Sequence, residues 1–278
     1  MFFILQKDDD FNRLDIELLI LQEELQKQKY THNFSLDKIS FWENKFNEEQ
    51  LLKLKKCVPV GSIEFVSKYL KKVHNIDNMN PLEVPECLRL DKFLNRKYAI
   101  VDKDHLPKDG YWFIKDVSEL KNFTYLGNME YFFYPEIFDK PTNNVDTRLH
   151  LNPNHLFEVS EPMDILSEYR VCVCDDKIKG IQFYDGNPLI MPTPNEIEKI
   201  EEMVLRYSLD KTRPMSYAMD IGIIKNNLLG RDIMLIEMCP FACLGTYGLV
   251  GSFLPYMYKD GVDWYIQHNT KISKFSNF

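Results

Sequence analysis

Two acidic residues, Asp220 and Glu237, lie in neighbouring apolar segments whose spacing brings them together. The segments YAMDIGIIK and IMLIEMCPF alternate apolar with other residues, and the polar stretch NNLLGRD separates them, a pattern typical of an antiparallel hairpin. A turn centred between Leu228 and Leu229 pairs Asp220 with Glu237. Side chains opposed in this way lie roughly 5 Å apart, where like charges destabilise a sheet, so the pair calls for a cation between its members. The alternative is a hairpin slipped by one residue, with two solvated acids.

The other side chains of this hairpin fix its register. Alternation predicts an apolar face filled by Met219, Ile221, Ile223, Met234, Ile236 and Met238. Because a slip of one residue would turn that whole face toward solvent, burial favours the register with Asp220 opposite Glu237.

Basic residues that could contact a phosphate group occur in two further segments. SEYRVCVC places Arg170 on a strand face with Glu168 and two cysteines, where a guanidinium can hold phosphate or carboxylate through two parallel hydrogen bonds. A structural ion pair of Arg170 with Glu168 or an aspartate is the open alternative. YWFIKDVSELKNF places Lys115 at the end of an apolar strand and Lys121 beyond a short turn. Their ammonium groups could reach a polyphosphate or simply be exposed.

The segment FEVSEPMDI is expected to run as extended chain from one sheet to the next. Unpaired backbone N–H and C=O groups in such a segment would suit recognition of a purine edge.

Composition restricts the classes of function. The chain has 278 residues, 45% of them hydrophobic, and a net charge of −8, without a dense basic block, which argues against nucleic-acid and anionic-membrane partners. No segment approaches the roughly 20 apolar residues of a membrane span. The start, MFFILQ, is expected to be a buried strand rather than a signal peptide. Six cysteines without metal-ligand spacing predict a reduced, cytoplasmic protein.

The order of predicted elements divides the chain into an α/β start and a longer α+β remainder. A strand at residues 2–6 precedes a helix over residues 14–29, and CVPVGSIEFVSKYLKKV indicates a strand, a turn and a helix. Prolines suggest a boundary near residue 90. Strands then dominate, apart from one helix over residues 195–207 with Thr193 or Asn195 as its cap. A cleft between sheets is where a site is expected in this arrangement.

Read in order, these segments resemble the ATP-grasp superfamily. The resemblance is to its divergent clade that includes the eukaryotic cell-division-cycle protein acting in translation-initiation-factor assembly and uncharacterised bacterial and phage proteins. It is carried by VPVGSIEFV, FIKDVSELKNF, VSEPMDILSEYRVCVCDDKIKGIQFY, SYAMDIGI and LIEMCPFACLGTYGL, which span residues 58–249. It implies an α+β, ATP-grasp fold of two lobes enclosing a nucleotide cleft, over residues 91–157 and 158–278. A small α/β N-terminal subdomain over residues 1–90 would precede them.

The resemblance also implies roles for individual residues. Lys115 and Lys121 look like the lysines that bind ATP phosphates, and Arg170 looks like the basic residue at the triphosphate or acyl-phosphate. Glu158, Val159 and Ser160 look like the hinge strand that contacts adenine. Asp220 and Glu237 look like the ligands of Mg²⁺. Lys115 and Arg170 would be the catalytic residues.

One position departs from the family pattern. ATP-grasp proteins usually continue Glu-x-Asn, whereas Cys239 stands at the third position here, and Mg²⁺ prefers oxygen to thiolate ligands. The leading hypothesis is an ATP- and Mg²⁺-dependent carboxylate–amine ligase, with a peptide or protein among the candidate substrates. The rival is an ATP-binding assembly factor with little turnover. A third reading is an α/β protein whose likeness to the family is chance.

Overall fold

A computed structural model describes nine parts of the chain, and the statements below concern them: residues 1–6, 16–35, 46–77, 79, 82–117, 124–130, 156–225, 230–242 and 245–272. The strands, in chain order, are β1 (Phe2–Gln6), β2 (Thr31–Ser35), β3 (Cys57–Val60), β4 (Tyr98–Asp102), β5 (Tyr111–Asp116), β6 (Thr124–Asn128), β7 (Leu156–Ser160), β8 (Ile165–Cys174), β9 (Lys177–Gly186), β10 (Ser216–Ile224) and β11 (Asp232–Pro240). The α-helices are α1 (Ile16–Lys27), α2 (Glu48–Leu54), α3 (Ile63–Tyr69), α4 (Asp91–Leu94), α5 (Pro194–Ser208) and α6 (Leu254–Ile272).

The first sheet is parallel, in the order β2-β1-β3. Strand β1 coincides with the strand predicted over residues 2–6. The Ser62 hydroxyl accepts a hydrogen bond from the Phe65 backbone N–H at 3.3 Å, and α3 begins directly after it. Parallel strands joined by helices are the α/β arrangement that the sequence predicts for this part.

Two four-stranded sheets follow, and both are antiparallel. Their strand orders are β4-β7-β5-β6 and β11-β10-β8-β9. Helix α5 begins after Thr193, whose N–H donates to the Glu196 carboxylate at 2.7 Å, so Thr193 is the cap. The apolar face of α5 packs on the second of these sheets in one core, with Tyr169, Val171 and Met219 among its members.

The opposite face of that second sheet packs against the N-terminal sheet and α6. Cys172 and Cys174 belong to this core together with residues of β1, β3 and α6. The alternation read from SEYRVCVC is therefore confirmed, because Tyr169 and Val171 face α5 while the two cysteines face the other way. The five cysteines in the described residues are free thiols, and Cys243 lies outside those residues.

The hairpin of β10 and β11 pairs Asp220 with Glu237, as the spacing predicts. The register shifts by one residue directly after this pair, so Ile221 lies opposite Leu235 and Ile236 is the extra residue of a β-bulge. The predicted apolar face was wrong for half of β11. Ile233 and Leu235, not Met234 and Ile236, join the core beneath α5, because the bulge reverses the alternation on one side of Glu237.

None of the helices in the described residues has the length and hydropathy needed to cross a membrane. The predicted boundaries at residues 90 and 157 stay predictions.

Candidate active site

A cavity of about 350 Å³ lies between the two antiparallel sheets. Its walls come from β5, β6 and β7 on one side and from β8, β9 and β11 on the other, joined by the connection between β7 and β8. Its lining residues are Arg96, Phe113, Lys115, Leu126, Glu158, Ser160, Glu161, Pro162, Met163, Ile165, Glu168, Tyr184, Met234, Ile236 and Glu237. The volume is within the range of small-molecule and cofactor sites.

Lys115 and Glu237 form an ion pair across this cavity. The Lys115 Nζ donates a short hydrogen bond to Glu237 Oε2, and the two side chains are 15% and 19% exposed. Because Lys115 is on β5 and Glu237 on β11, the pair joins the two sheets. The Cys239 thiol lies on the far side of the carboxylate, with its Sγ 3.6 Å from Glu237 Oε1.

Arg170 and Asp220 form a second, more buried pair beside the first. The two residues are register partners on β8 and β10, and the guanidinium donates two hydrogen bonds, of 2.8 and 2.7 Å, to the two carboxylate oxygens. Burial alone lowers the pKa of Arg170, but the hydrogen bonds and charge of Asp220 raise it above its usual value. The ion-pair alternative for Arg170 is therefore the arrangement found, with Asp220 as the partner.

A segment after β11 covers Arg170. Arg170 Nη1 donates to the Gly245 carbonyl at 3.2 Å, and the guanidinium carbon lies 5.1 Å from the ring centre of Tyr247 and 5.7 Å from that of Tyr184. The two rings stack with centroids 5.2 Å apart. Tyr247 has a left-handed backbone with φ of 47°, and its N–H donates to the Glu17 carboxylate from α1 at 2.9 Å.

Glu168 adds a third carboxylate to this region. The Tyr184 hydroxyl donates a short hydrogen bond to it, and both residues line the cavity. Burial raises the pKa of Glu168, and the charges of Asp220 and Glu237 raise it further. Sequence reasoning used Glu168 only as a candidate partner of Arg170, although its position two residues before Arg170 on one strand placed it on the same face.

The predicted hinge is only partly at the cavity. Glu158 and Ser160 line it, whereas the Val159 side chain is buried in a separate core with Ile114 and Phe157. The expectation of unpaired backbone in these residues was wrong, because β7 is an inner strand that pairs with β4 and β5. The connection over residues 161–164 is not part of a strand, and it provides Glu161, Pro162 and Met163 to the wall. Lys121 lies outside the described residues.

The carboxylates fit Mg²⁺ in number and in donor type. Mg²⁺ is commonly held by one or two carboxylates together with substrate phosphates and water, and Asp220 with Glu237 offers two oxygen donors on directly paired residues. A thiol such as that of Cys239 is a poor ligand for this ion. Within the described residues no cluster of three or more His, Cys, Asp or Glu side chains is arranged to hold a metal by itself. Such a pair would therefore share the ion with the nucleotide.

Comparison with known proteins gives one family and a common fold. A family model described as an ATP-grasp domain, the second family of its clade, matches residues 93–252. N5-carboxyaminoimidazole synthetase from Staphylococcus aureus is 12% identical, with 94% of this chain and 77% of that one covered and a TM-score of 0.50. The L-amino acid ligase from Bacillus licheniformis is 9% identical, with 95% and 75% covered and a TM-score of 0.50. None of the curated proteins matches the chain. The expected α+β, ATP-grasp fold is confirmed.

Proposed function

The chain belongs to this ATP-grasp domain family, and from this membership we propose that it is an ATP- and Mg²⁺-dependent carboxylate–amine ligase. One observation carries the proposal. Lys115 from one sheet meets Glu237 from the other inside a cavity of about 350 Å³, and Asp220 is the register partner of Glu237. A cation for phosphate and two carboxylates for a metal are thus gathered at one cleft.

Nucleotide binding follows from the walls of the cavity. Met163, Ile165, Met234 and Ile236 form apolar surface suited to the faces of an adenine ring, and the polar groups of residues 158–161 lie beside it. Asp220 and Glu237 would hold Mg²⁺. That ion, when bound, neutralises charge on the phosphate oxygens and so favours phosphoryl transfer.

The residues of the chain act mainly by charge and position. The Lys115 ammonium, once released from Glu237, contacts a phosphate oxygen and offsets its negative charge. Arg170 fixes the orientation of Asp220 through two hydrogen bonds. Contact between Arg170 and a phosphate, which the resemblance implies, requires the guanidinium to give up part of this pairing.

The reaction proceeds in two displacements. A substrate carboxylate oxygen attacks the γ-phosphorus, the bond from that phosphorus to the bridging oxygen breaks, and ADP leaves, giving an acyl phosphate. An amine nitrogen then attacks the acyl carbon, the bond from this carbon to the phosphate oxygen breaks, and phosphate leaves as the nitrogen loses its proton to solvent. The cleft between sheets excludes water from the acyl phosphate. A peptide or protein is a candidate carboxylate substrate.

The test is release of ADP and phosphate by the full chain with Mg-ATP, across pooled amino acids, peptides and amines. Wild-type protein is expected to release ADP only when a carboxylate is present. Glu237→Gln is the matched control, because it removes the charge and keeps the shape, and it is expected to be inactive. Absence of ADP release from folded wild-type protein with every pool would contradict the ligase.

The position of Cys239 favours one alternative. Its thiol lies 3.6 Å from Glu237 Oε1, where the family usually has a hard oxygen donor, which is consistent with slow turnover. An ATP-binding assembly factor would use the nucleotide to shape a partner-binding surface. Capture of one defined partner that requires Mg-ATP, without ADP release, would favour that function over the ligase.

A further inference from the structure

The bulge at Ile236 determines which side chains enter the nucleotide cavity. In a regular strand, successive side chains point to opposite faces, so Ile236 and Glu237 would lie on opposite sides of the sheet. Both line the cavity here, together with Met234, while Leu235 and Met238 are buried in the core beneath α5. The extra residue therefore puts the proposed metal ligand and the apolar wall on the same side.

The Arg96 guanidinium binds this bulge directly. Its Nη1 donates to the Leu235 carbonyl at 2.7 Å, and its Nη2 donates to the Ile236 carbonyl at 3.3 Å. Nη1 also lies 3.3 Å from the Leu94 carbonyl, and Nη2 lies 3.9 Å from Glu158 Oε1. Arg96 precedes β4, so one side chain fastens the bulge of one sheet to the segment leading into the other.

Only an arginine suits these contacts. A guanidinium presents N–H groups from several nitrogens in one plane, so it can bond two successive carbonyls and face a carboxylate at once, whereas an ammonium is a point charge. The Arg96 side chain is 3% exposed, and its carbonyl partners replace the water lost on burial. Burial lowers the pKa of Arg96, and the nearby Glu158 carboxylate partly opposes this.

We propose that Arg96 is a positioning residue that holds the Ile236 bulge and thereby presents Glu237 and the apolar wall of β11 to Mg-ATP. This rests on the proposed function for the ligand, but the hold on the bulge does not. Arg96 contacts backbone rather than reacting atoms, so its effect on the metal passes through Glu237.

The first test measures the bulge without nucleotide. Amide hydrogen exchange in the peptide over residues 232–240 is compared among wild type, Arg96→Lys and Arg89→Lys. Arg89 is the matched control, because it donates to the Val84 carbonyl at 2.7 Å and does not line the nucleotide cavity. Losing charge-assisted hydrogen bonds to Leu235 and Ile236 is expected to speed exchange at least about tenfold in Arg96→Lys alone. Unchanged exchange in this peptide would overturn the proposal.

The second test measures the metal. The Kd for ATP is determined with Mg²⁺ and with EDTA for wild type, Arg96→Lys, Glu237→Gln and the double variant. The gain from Mg²⁺ is expected to fall at least about tenfold in Arg96→Lys, and the double variant is expected to lose no more than Glu237→Gln. A full gain in a folded Arg96→Lys, or losses that multiply in the double variant, would overturn the role at the metal.

The two tests separate the proposals. If wild type binds no Mg-ATP, the proposed function fails, and the hydrogen-exchange comparison alone decides whether Arg96 holds the bulge. If wild type binds Mg-ATP and exchange in Arg96→Lys equals wild type, only the role of Arg96 fails.

Discussion

The two ion pairs of the site differ in burial and in what they connect. Arg170 and Asp220 are neighbours within one sheet, share two hydrogen bonds and have side chains only 8% and 4% exposed. Lys115 and Glu237 belong to different sheets, make one short contact and are 15% and 19% exposed. A pair within a sheet is held by the strand ladder on both sides. A pair across a cavity must separate when a ligand enters between its members.

This difference assigns different work to the two pairs. The Arg170–Asp220 pair is part of the fold, because removing one partner would leave the other charge buried without compensation. The Lys115–Glu237 pair occupies the place of ligand charges: the ammonium stands where a metal would contact Glu237, and the carboxylate stands where a phosphate would contact Lys115. Mg-ATP supplies both substitutes together, so it can open this pair without leaving either charge unpaired.

Removing Asp220 should have the largest effect on stability. Asp220→Ala leaves the Arg170 guanidinium buried without its carboxylate, and we expect a loss of about 3–5 kcal/mol in the free energy of unfolding, measured in urea. The control is Asp176→Ala, whose pair with Arg213 is more exposed, with a carboxylate 36% accessible. Its expected cost is at most about 1 kcal/mol. Equal losses in the two variants would contradict a structural role for the buried pair.

The pair across the cavity should respond to the nucleotide. In a double-mutant cycle of Lys115→Met and Glu237→Gln, we expect a coupling of about 1–3 kcal/mol in the unfolding free energy without ligand. With saturating Mg-ATP, the coupling should fall toward zero, because the two side chains then contact phosphate and metal instead of each other. The same coupling with and without Mg-ATP would mean that the pair does not open.

Local sequence patterns predicted one of these two regions better than the other. The pairing of Asp220 with Glu237 follows from alternation and one turn, so it depends on residues close in sequence. The bulge does not, because the donor that binds Ile236 is Arg96, 140 positions away. Likewise, the inner position of β7 depends on pairing with β4 and β5, and FEVSEPMDI alone gives no sign of it. The fold itself came from the order of motifs rather than from any one strand.

Replacing Cys239 should sharpen the metal half of the comparison. Cys239→Asn supplies a hard oxygen beside Glu237, and we expect the Mg²⁺ concentration for half-maximal ATP binding to fall about fivefold, on the order of 1 kcal/mol. Cys239→Ala controls for loss of the thiol and should leave that concentration near the wild-type value. If the asparagine variant matches the alanine variant, position 239 does not reach the metal.

The smallest effect concerns pH and Glu168. Burial raises the pKa of Glu168 in the folded state above the 4.5 of an ordinary glutamate, so the unfolded chain loses its proton first as pH rises. Stability of wild type therefore falls as pH rises through this window, and the cost is complete above the folded pKa. Glu168→Gln should be the more stable protein at pH 7.5, by a few degrees of Tm at most, with the difference vanishing below about pH 4.

Glu161→Gln is the control with the opposite sign. The hydrogen bond from Lys97 lowers the pKa of Glu161, so its carboxylate stabilises the fold above its unfolded pKa and loses this contribution as pH falls. That variant should have the lower Tm at pH 7.5. A wild-type Tm above that of Glu168→Gln at pH 7.5 would contradict the cost assigned to Glu168.

The central claim is that Asp220 and Glu237 together hold a divalent ion against the phosphates of ATP. The direct measurement is electron paramagnetic resonance of Mn²⁺, in place of Mg²⁺, with a non-hydrolysable ATP analogue and wild type, Asp220→Asn or Glu237→Gln. We predict that wild type retains Mn²⁺ only with the analogue and that neither variant does. Equal Mn²⁺ retention by both folded variants, or none by wild type, would contradict the claim.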